Sequence, residues 1–433
     1  MRIPFSWLVL VLLLIFPTAS ACGKTWTLAV SDNHRFLQTT DGKPFFWLGD
    51  TGRLLPERLD RAGVRRYLRH CRQDGFNVVQ MQVLNAVPSV NVYGQKSNPN
   101  GFDMSAADHS GVYSYWDHLD YIVKTARRNG IYVAKVPVWG SIVKSGKMGV
   151  DDAVSYGRFL ANRYKDCPNI IWMIGGDIQG DVHPEVWEAL ATTIKSVDHQ
   201  HLMTYHPRGR NTSARWWSRA AGIDFHVFQS GHRRYGQRMG SKDYPIPDGT
   251  EEDNWMYVDS TWVYKPLKPV LDAEPSYEHI PQGLHDPNEP RWQACDVRRY
   301  AYWSVFAGSC GHTYGHNSVM QMLRPGDHSG YGTDGEEPYW YDALAAPGRN
   351  QMRYVKALML AFPYFCRIPD QSIIVGENGK RYDRLIATRG NDYLLLYDYR
   401  HAPITVDLTR ISGTKKNAWW MDAATGNLQY LGQ

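Results

Sequence analysis

The run Ile170-Ile171-Trp172-Met173-Ile174, closed by Gly175-Gly176-Asp177, decides how this chain is read. It is apolar without a break and of strand length, so it suits a strand covered on both faces. The two glycines let the backbone turn sharply and leave room for a ligand, and an acid follows at once. Outward in both directions, short apolar runs alternate with longer helical stretches, the pattern of a parallel sheet with crossover helices. Strands are expected at 45–49, 77–84, 131–138, 170–174, 202–205, 224–228, 269–273 and 308–311. Helices are expected near 59–73, 116–128, 151–164, 184–197 and 291–306, the first stopping at Gly75 and the second at Asn129-Gly130. Eight such units predict a (β/α)₈ barrel over residues 25–350.

Beyond about Met352 the character changes. A helix at 353–362 precedes short alternating runs at 373–375, 385–388, 393–397, 404–407, 418–422 and 428–431, split by turns such as Glu377-Asn378-Gly379 and Thr425-Gly426-Asn427. This predicts a small antiparallel β-sandwich over residues 351–433. The end at Gln433 is read as an apparent stop before a final strand, which would leave an edge unpaired.

Composition narrows the class. The 433 residues are 43% hydrophobic and 21% charged, ordinary for a globular protein. The 16 Trp, 27 Tyr and 13 Phe are unusual, and many fall in expected loops. Loop aromatics stack on the apolar C–H faces of sugar rings, although large proteins also use them as core. The net charge of +5 is scattered, with no basic stripe of the kind nucleic acid requires, and it suits an acidic polysaccharide at least as well.

At the N-terminus, Arg2, the apolar run from Trp7 to Phe16, and Ala19-Ser20-Ala21-Cys22 have the order of a signal peptide spanning residues 1–22. The expectation is an exported protein. Cys22-Gly23 resembles a lipoprotein box, with Ala19 where Leu is usual, and predicts a lipid on Cys22 as the one membrane attachment; simple secretion is the alternative. The five other cysteines lack metal-ligand spacing, and their odd number requires at least one free thiol.

A parallel barrel carries its active site at the C-terminal ends of its strands. The polar residues expected there are Asp50, Gln80, Gln82, Trp139, Asp177, His206, His226, Gln229, Glu274, His312, Tyr314 and His316. Asp177 and Glu274 stand out. Paired acids at one mouth suit glycoside cleavage, one protonating the leaving oxygen while the other attacks carbon or activates water. A lone acid after a strand more often caps a helix or pairs with an arginine; two, ringed by His, Gln, Trp and Tyr, favour chemistry. Asp50 is either a helix cap or an acceptor for a sugar hydroxyl, Asp272 should point away from the site, and Glu278 is a second-choice acid. No metal or cofactor is expected, because His206, His226 and His312 have no ligand spacing.

The segments Phe46-Trp47-Leu48-Gly49-Asp50-Thr51, Asn77-Val78-Val79-Gln80, Trp172 to Asp177, Asp272-Ala273-Glu274-Pro275 with Tyr277-Glu278, and Gly311 to Asn317 together resemble the apiosidase-like glycoside hydrolases of family 140. The resemblance covers about residues 30–350, and the C-terminal part resembles the collagen-binding-type β-domain that accompanies this barrel. It implies a retaining hydrolase cleaving apiose from galacturonic acid in pectic side chains, with Asp177 as acid/base and Glu274 as nucleophile. Gly52-Arg53 stands where that family commonly has an aromatic. A non-catalytic carbohydrate- or matrix-binding protein is the competing reading.

Overall fold

The computed structural model describes residues 27–98, 100–107, 113–237, 252–327, 337–400 and 403–433. The expected leader and Cys22 lie outside them. After a three-stranded antiparallel lead-in (Leu28–Val30, Leu37–Thr39, Pro44–Phe45), the barrel strands are β1 (Trp47–Thr51), β2 (Val78–Leu84), β3 (Tyr132–Val138), β4 (Ile170–Ile178), β5 (Met203–Pro207), β6 (His226–Gln229), β7 (Val270–Asp272) and β8 (Gly311–Tyr314). They pair in parallel from β5 back through β1 and on through β8 and β7 to β6. Between β5 and β6 the ring closes through the Asp224 N–H donating to the Met203 carbonyl at 2.8 Å and the Thr204 hydroxyl donating to the Phe225 carbonyl at 2.8 Å. Outside β6 the short strand Asn211–Thr212 pairs antiparallel.

The main outer helices are α1 (Arg61–Gln73), α2 (Tyr115–Arg128), α3 (Val150–Tyr164), α4 (Pro184–Val197), α5 (Asn254–Trp262), α6 (Ala294–Phe306) and α7 (Pro347–Leu360). Their starts are written locally. Asp60 accepts from the Gly63 amide to cap α1, Ser114 and Asp117 form a reciprocal capping box for α2, and proline opens α4 and α7.

The eighth strand begins at Gly311, at the far end of the expected 308–311, because Gly308 (φ +123°) is still turning the chain out of α6. This displacement places His312 and Tyr314 inside the strand instead of beyond it. C-terminal to α7, Ile368–Pro369, β9 (Ile386–Arg389) and β10 (Leu394–Tyr397) form one antiparallel sheet. β11 (Ala418–Met421) and β12 (Leu428–Gly432) form a second. The runs expected at 373–375 and 404–407 meet only as the isolated bridge Ile374–Val406. This unit packs on the barrel through Tyr302 and Tyr397, stacked at 4.6 Å. It also packs through Tyr382, whose hydroxyl lies 3.0 Å from Glu252, the buried partner of Arg299.

Asp50 is fully buried in the layer between sheet and helices. Its carboxylate accepts from Arg349 of α7 at 2.6 Å and from the Tyr67 hydroxyl of α1 at 2.7 Å, while Arg349 also holds Asp74 at 2.9 Å. Neither expectation for Asp50 is met: it is no cap, and it faces away from the barrel mouth. Arg349→Met should destabilise the protein by about 3–5 kcal/mol, because it leaves a buried carboxylate uncompensated. Urea denaturation measures this, and a loss below about 1 kcal/mol would show the pair to be expendable.

Candidate active site

The wall of the cleft is shaped by the end of β4, where the ladder with β5 breaks register between Gly175 and Ile178. Both glycines sit at positive φ (+93° and +109°), and a side chain at either would collide. A Cβ on Gly175 would lie 2.5 Å from the His206 carbonyl, and one on Gly176 2.7 Å from the Trp139 ring. Asp177 follows in the left-handed region at φ +58° with its side chain exposed. That conformation costs about 1 kcal/mol or more in a non-glycine residue. A strained, exposed acid held at a strand end points to function rather than packing.

Glu274 lies two residues beyond β7, past the end of the strand, so it is released from the face that alternation would have it share with Asp272. Asp272 turns towards α5, accepting from the Ser230 hydroxyl at 2.6 Å and the Asn254 amide at 3.1 Å; burial pushes its carboxyl up to about 7. Glu274 turns the other way and is itself buried. It is held by the Arg53 guanidinium, by His232 Nε2 at 3.2 Å on Oε1, and by the approach of His206 Nε2 to 3.2 Å from Oε2. The last contact lies off the line of a formed hydrogen bond. Arg53 also donates to the Tyr277 hydroxyl at 3.0 Å and stacks 4.5 Å from the Trp139 ring centre.

His206 lies between the Asp177 backbone and the Glu274 carboxylate. Its Nε2 faces Glu274, and its Nδ1 lies 3.4 Å from the Asp177 amide nitrogen. Burial, with the charge of Arg53, pushes its imidazole down to about 3, so the ring is neutral at ordinary pH. Its Nδ1 also lies 3.1 Å from the Pro207 carbonyl, which fixes the plane of the ring. His232 is driven down to about 3 by burial and by the same arginine. The Tyr277 hydroxyl, pushed up to about 12 chiefly by burial, also feels the charge of Asp177. Asp177 and Glu274 therefore lie against one group of side chains, Arg53, His206, His232 and Tyr277.

Gln80 points inward, donating to the Ala273 carbonyl at 3.1 Å and to Thr313 Oγ1 at 3.2 Å. Gln82 shares its face, Trp139 lines the wall, and Gln229 closes β6 with its Oε1 buried and without a partner. Other expected site residues turn outward. His226 begins β6 on the same face as Phe228, which stacks on Tyr257 of α5, and its Nδ1 lies 3.0 Å from Ser213 Oγ. His312 faces Ser304 of α6 at 3.3 Å. The Tyr314 hydroxyl donates to Glu278 at 2.6 Å, and Glu278 accepts from the Gly348 amide at 3.1 Å, securing the start of α7. His316 accepts from the Ser318 amide at 3.1 Å, capping a short helix. In β8 the inward residue is Thr313 instead. His206, His226 and His312 thus face three different neighbours, and among the described residues no cluster of three ligating side chains could hold a metal.

Arg53, His232 and Tyr277 were missed as site residues. Arg53 was visible only as a departure from the family pattern, and Tyr277 only as part of a quoted motif. His232 stands alone in a loop, three residues past β6, with no periodicity to mark it.

The buried imidazoles carry a pH prediction. Burial lowers His206, His226, His232, His312 and His316 to about 3, whereas in the unfolded chain each takes a proton near pH 6.5. The unfolded state binds more protons in that window, so their contribution is complete above about pH 6.5 and is lost as pH falls towards 3. Glu57, Glu252, Asp259, Asp272 and Glu278, all raised by burial, act in the opposite sense, but with His70 and His118 also lowered the histidines outnumber them. Thermal melts should show Tm falling between about pH 6.5 and about pH 4; a flat or rising Tm would contradict this accounting.

Residues 31–366 match the family model of the apiosidase-like catalytic domain, and residues 368–433 match one named for a collagen-binding domain of a collagenase. A glycoside hydrolase family 5 structure from Bacteroides vulgatus is 59% identical, with 94% of this chain and 88% of that one covered at a TM-score of 0.92. A second structure, named a glycoside hydrolase, is 58% identical, with 94% and 91% covered at 0.92. A family 5 mannosidase structure from Rhizomucor miehei shares the fold alone, at 12% identity and TM-score 0.51 over 78% of this chain and 100% of that one. No curated protein matches the chain. The barrel, the cleft and these matches agree: the chain belongs to the apiosidase-like glycoside hydrolases.

Proposed function

We propose that this chain is a retaining glycoside hydrolase acting on side-chain sugars of plant cell-wall pectin, apiose foremost, with Asp177 as acid/base and Glu274 as nucleophile. The observation that carries the reading is the approach of both acids to one Arg53–Tyr277 pair: Arg53 holds Glu274 and donates to Tyr277, and Tyr277 feels the charge of Asp177. In the first step Glu274 attacks the anomeric carbon while Asp177 gives its proton to the departing glycosidic oxygen. The bond to that oxygen breaks and a glycosyl ester forms. In the second step Asp177 takes a proton from water, which attacks the same carbon and frees Glu274.

The surroundings of Glu274 support attack over water activation. Arg53 on Oε2 and His232 on Oε1 hold the carboxylate, with His206 close to Oε2, fixing it while leaving acceptor capacity free for carbon. The exposure of Asp177 gives it the solvent access that proton exchange with water requires. The pectic substrate rests on family likeness and on the chain's positive charge. An exported enzyme, anchored by a lipid on Cys22 or freely secreted, suits a polymer too large to enter a cell.

The test is proton NMR of sugar released from apiose-bearing pectic oligosaccharides, recorded before mutarotation. First product of the same anomeric configuration as the substrate is expected. Inverted product would assign Glu274 to water activation, and release only from other glycans would reject the pectic assignment.

A further inference from the structure

The crossover from β5 to β6 departs from the barrel plan. Where a full outer helix is expected, residues 208–225 carry only the four-residue helix Ala214–Trp217 among their helical elements. The outer wall beside α4 is therefore open, and a cavity of about 840 Å³ lies between α4 and residues 216–223. That volume is within the range of about 300–1,000 Å³ usual for ligand sites.

The cavity is preformed. Lys268 donates to the carbonyls of Ala220 (3.2 Å) and Ile223 (2.6 Å), which pins the loop forming one side. Trp217 is locked against Tyr205, with ring centres 5.4 Å apart. Trp216 lines the same wall, half-buried, while Glu188, Thr192, His199 and Arg219 form an exposed rim.

The half-buried indole of Trp216 beside a rim of hydroxyl, carboxylate, imidazole and guanidinium matches the two-sided chemistry of a sugar. Its C–H face is apolar and stacks on indole, and its hydroxyl edge needs donors and acceptors in the same plane. A docked peptide helix would instead need a broad apolar stripe, which this rim interrupts. We propose that the groove is a second oligosaccharide-binding site, on the outer wall of the barrel and separate from the Asp177–Glu274 cleft. It holds a strand of the polysaccharide while the cleft works on another part. This rests on the glycoside hydrolase family and not on the roles assigned to the two acids.

Affinity electrophoresis of the full chain, in gels containing polygalacturonate or neutral arabinan, tests the site. Wild type and Glu274→Gln should be retarded alike in at least one gel, and which gel responds separates an acidic from a neutral glycan. Thr192→Trp fills the groove from the exposed face of α4, and Trp216→Ala removes its accessible aromatic face. Each should weaken retardation about tenfold, the loss expected from one stacking contact, and Thr192→Trp should leave turnover of a small soluble aryl glycoside unchanged. Absence of retardation in both gels, or full retardation of both groove variants, would overturn the proposal. Retarded but inactive wild type would reject the proposed reaction and leave the groove standing.

Discussion

Glu274→Gln is expected to lower kcat/KM by about 10⁴-fold or more, equivalent to roughly 5 kcal/mol of lost transition-state stabilisation. The amide keeps the shape of the side chain but cannot form the glycosyl ester, so the two-step route closes. It also presents a neutral group to Arg53, which now loses the carboxylate it holds. The chemistry supplies a control. In Glu274→Ala a small anion such as azide can occupy the space of the carboxylate and attack carbon directly. Turnover of an activated aryl glycoside should then return, giving a glycosyl azide of inverted configuration. Steady-state kinetics with and without azide measure both effects. A variant with more than about a tenth of wild-type activity would remove Glu274 from the mechanism.

Asp177→Asn should cost about 10²- to 10⁴-fold on substrates with sugar leaving groups, the span typical of lost general acid–base catalysis. The loss should shrink to about tenfold in glycosylation when the leaving group is a dinitrophenolate, which departs without a proton. The pH profile should lose the limb set by the acid. Stability should barely change, because Asp177 is exposed and asparagine accepts the left-handed backbone at φ +58° nearly as well. Equal losses on good and poor leaving groups would identify Asp177 as a substrate-binding residue and not a proton donor.

The sequence carried the barrel because its signals are local. The run from Ile170 to Ile174 is covered on both faces as a buried parallel strand must be, and α4 runs over the expected 184–197. Strand ends were less legible, since Gly308 extends a turn that composition alone does not reveal. That shift decided the fate of His312 and Tyr314. In a strand, alternate residues face opposite ways, and here His312 and Tyr314 face the helices while Thr313 faces in. Asp50 and Glu278 were misplaced for a related reason. Their partners, Arg349 and Gly348, lie 299 and 70 residues away on α7, and no local pattern announces such a contact. Asp177 and Glu274 were readable because glycines and the end of a strand mark where the chain turns into the cleft. Arg53 and His232 complete the site through long-range approach and leave no mark in the neighbouring residues.

The most direct measurement is covalent trapping. The enzyme is incubated with a 2-fluoro glycoside of the sugar it releases, bearing a good leaving group, and the peptides are mapped by mass spectrometry. One sugar attached to the peptide containing Glu274, at that side chain, is the predicted result. Attachment to Asp272 or Glu278, or complete hydrolysis with no trapped species at any time, would contradict the assignment of Glu274 as the nucleophile.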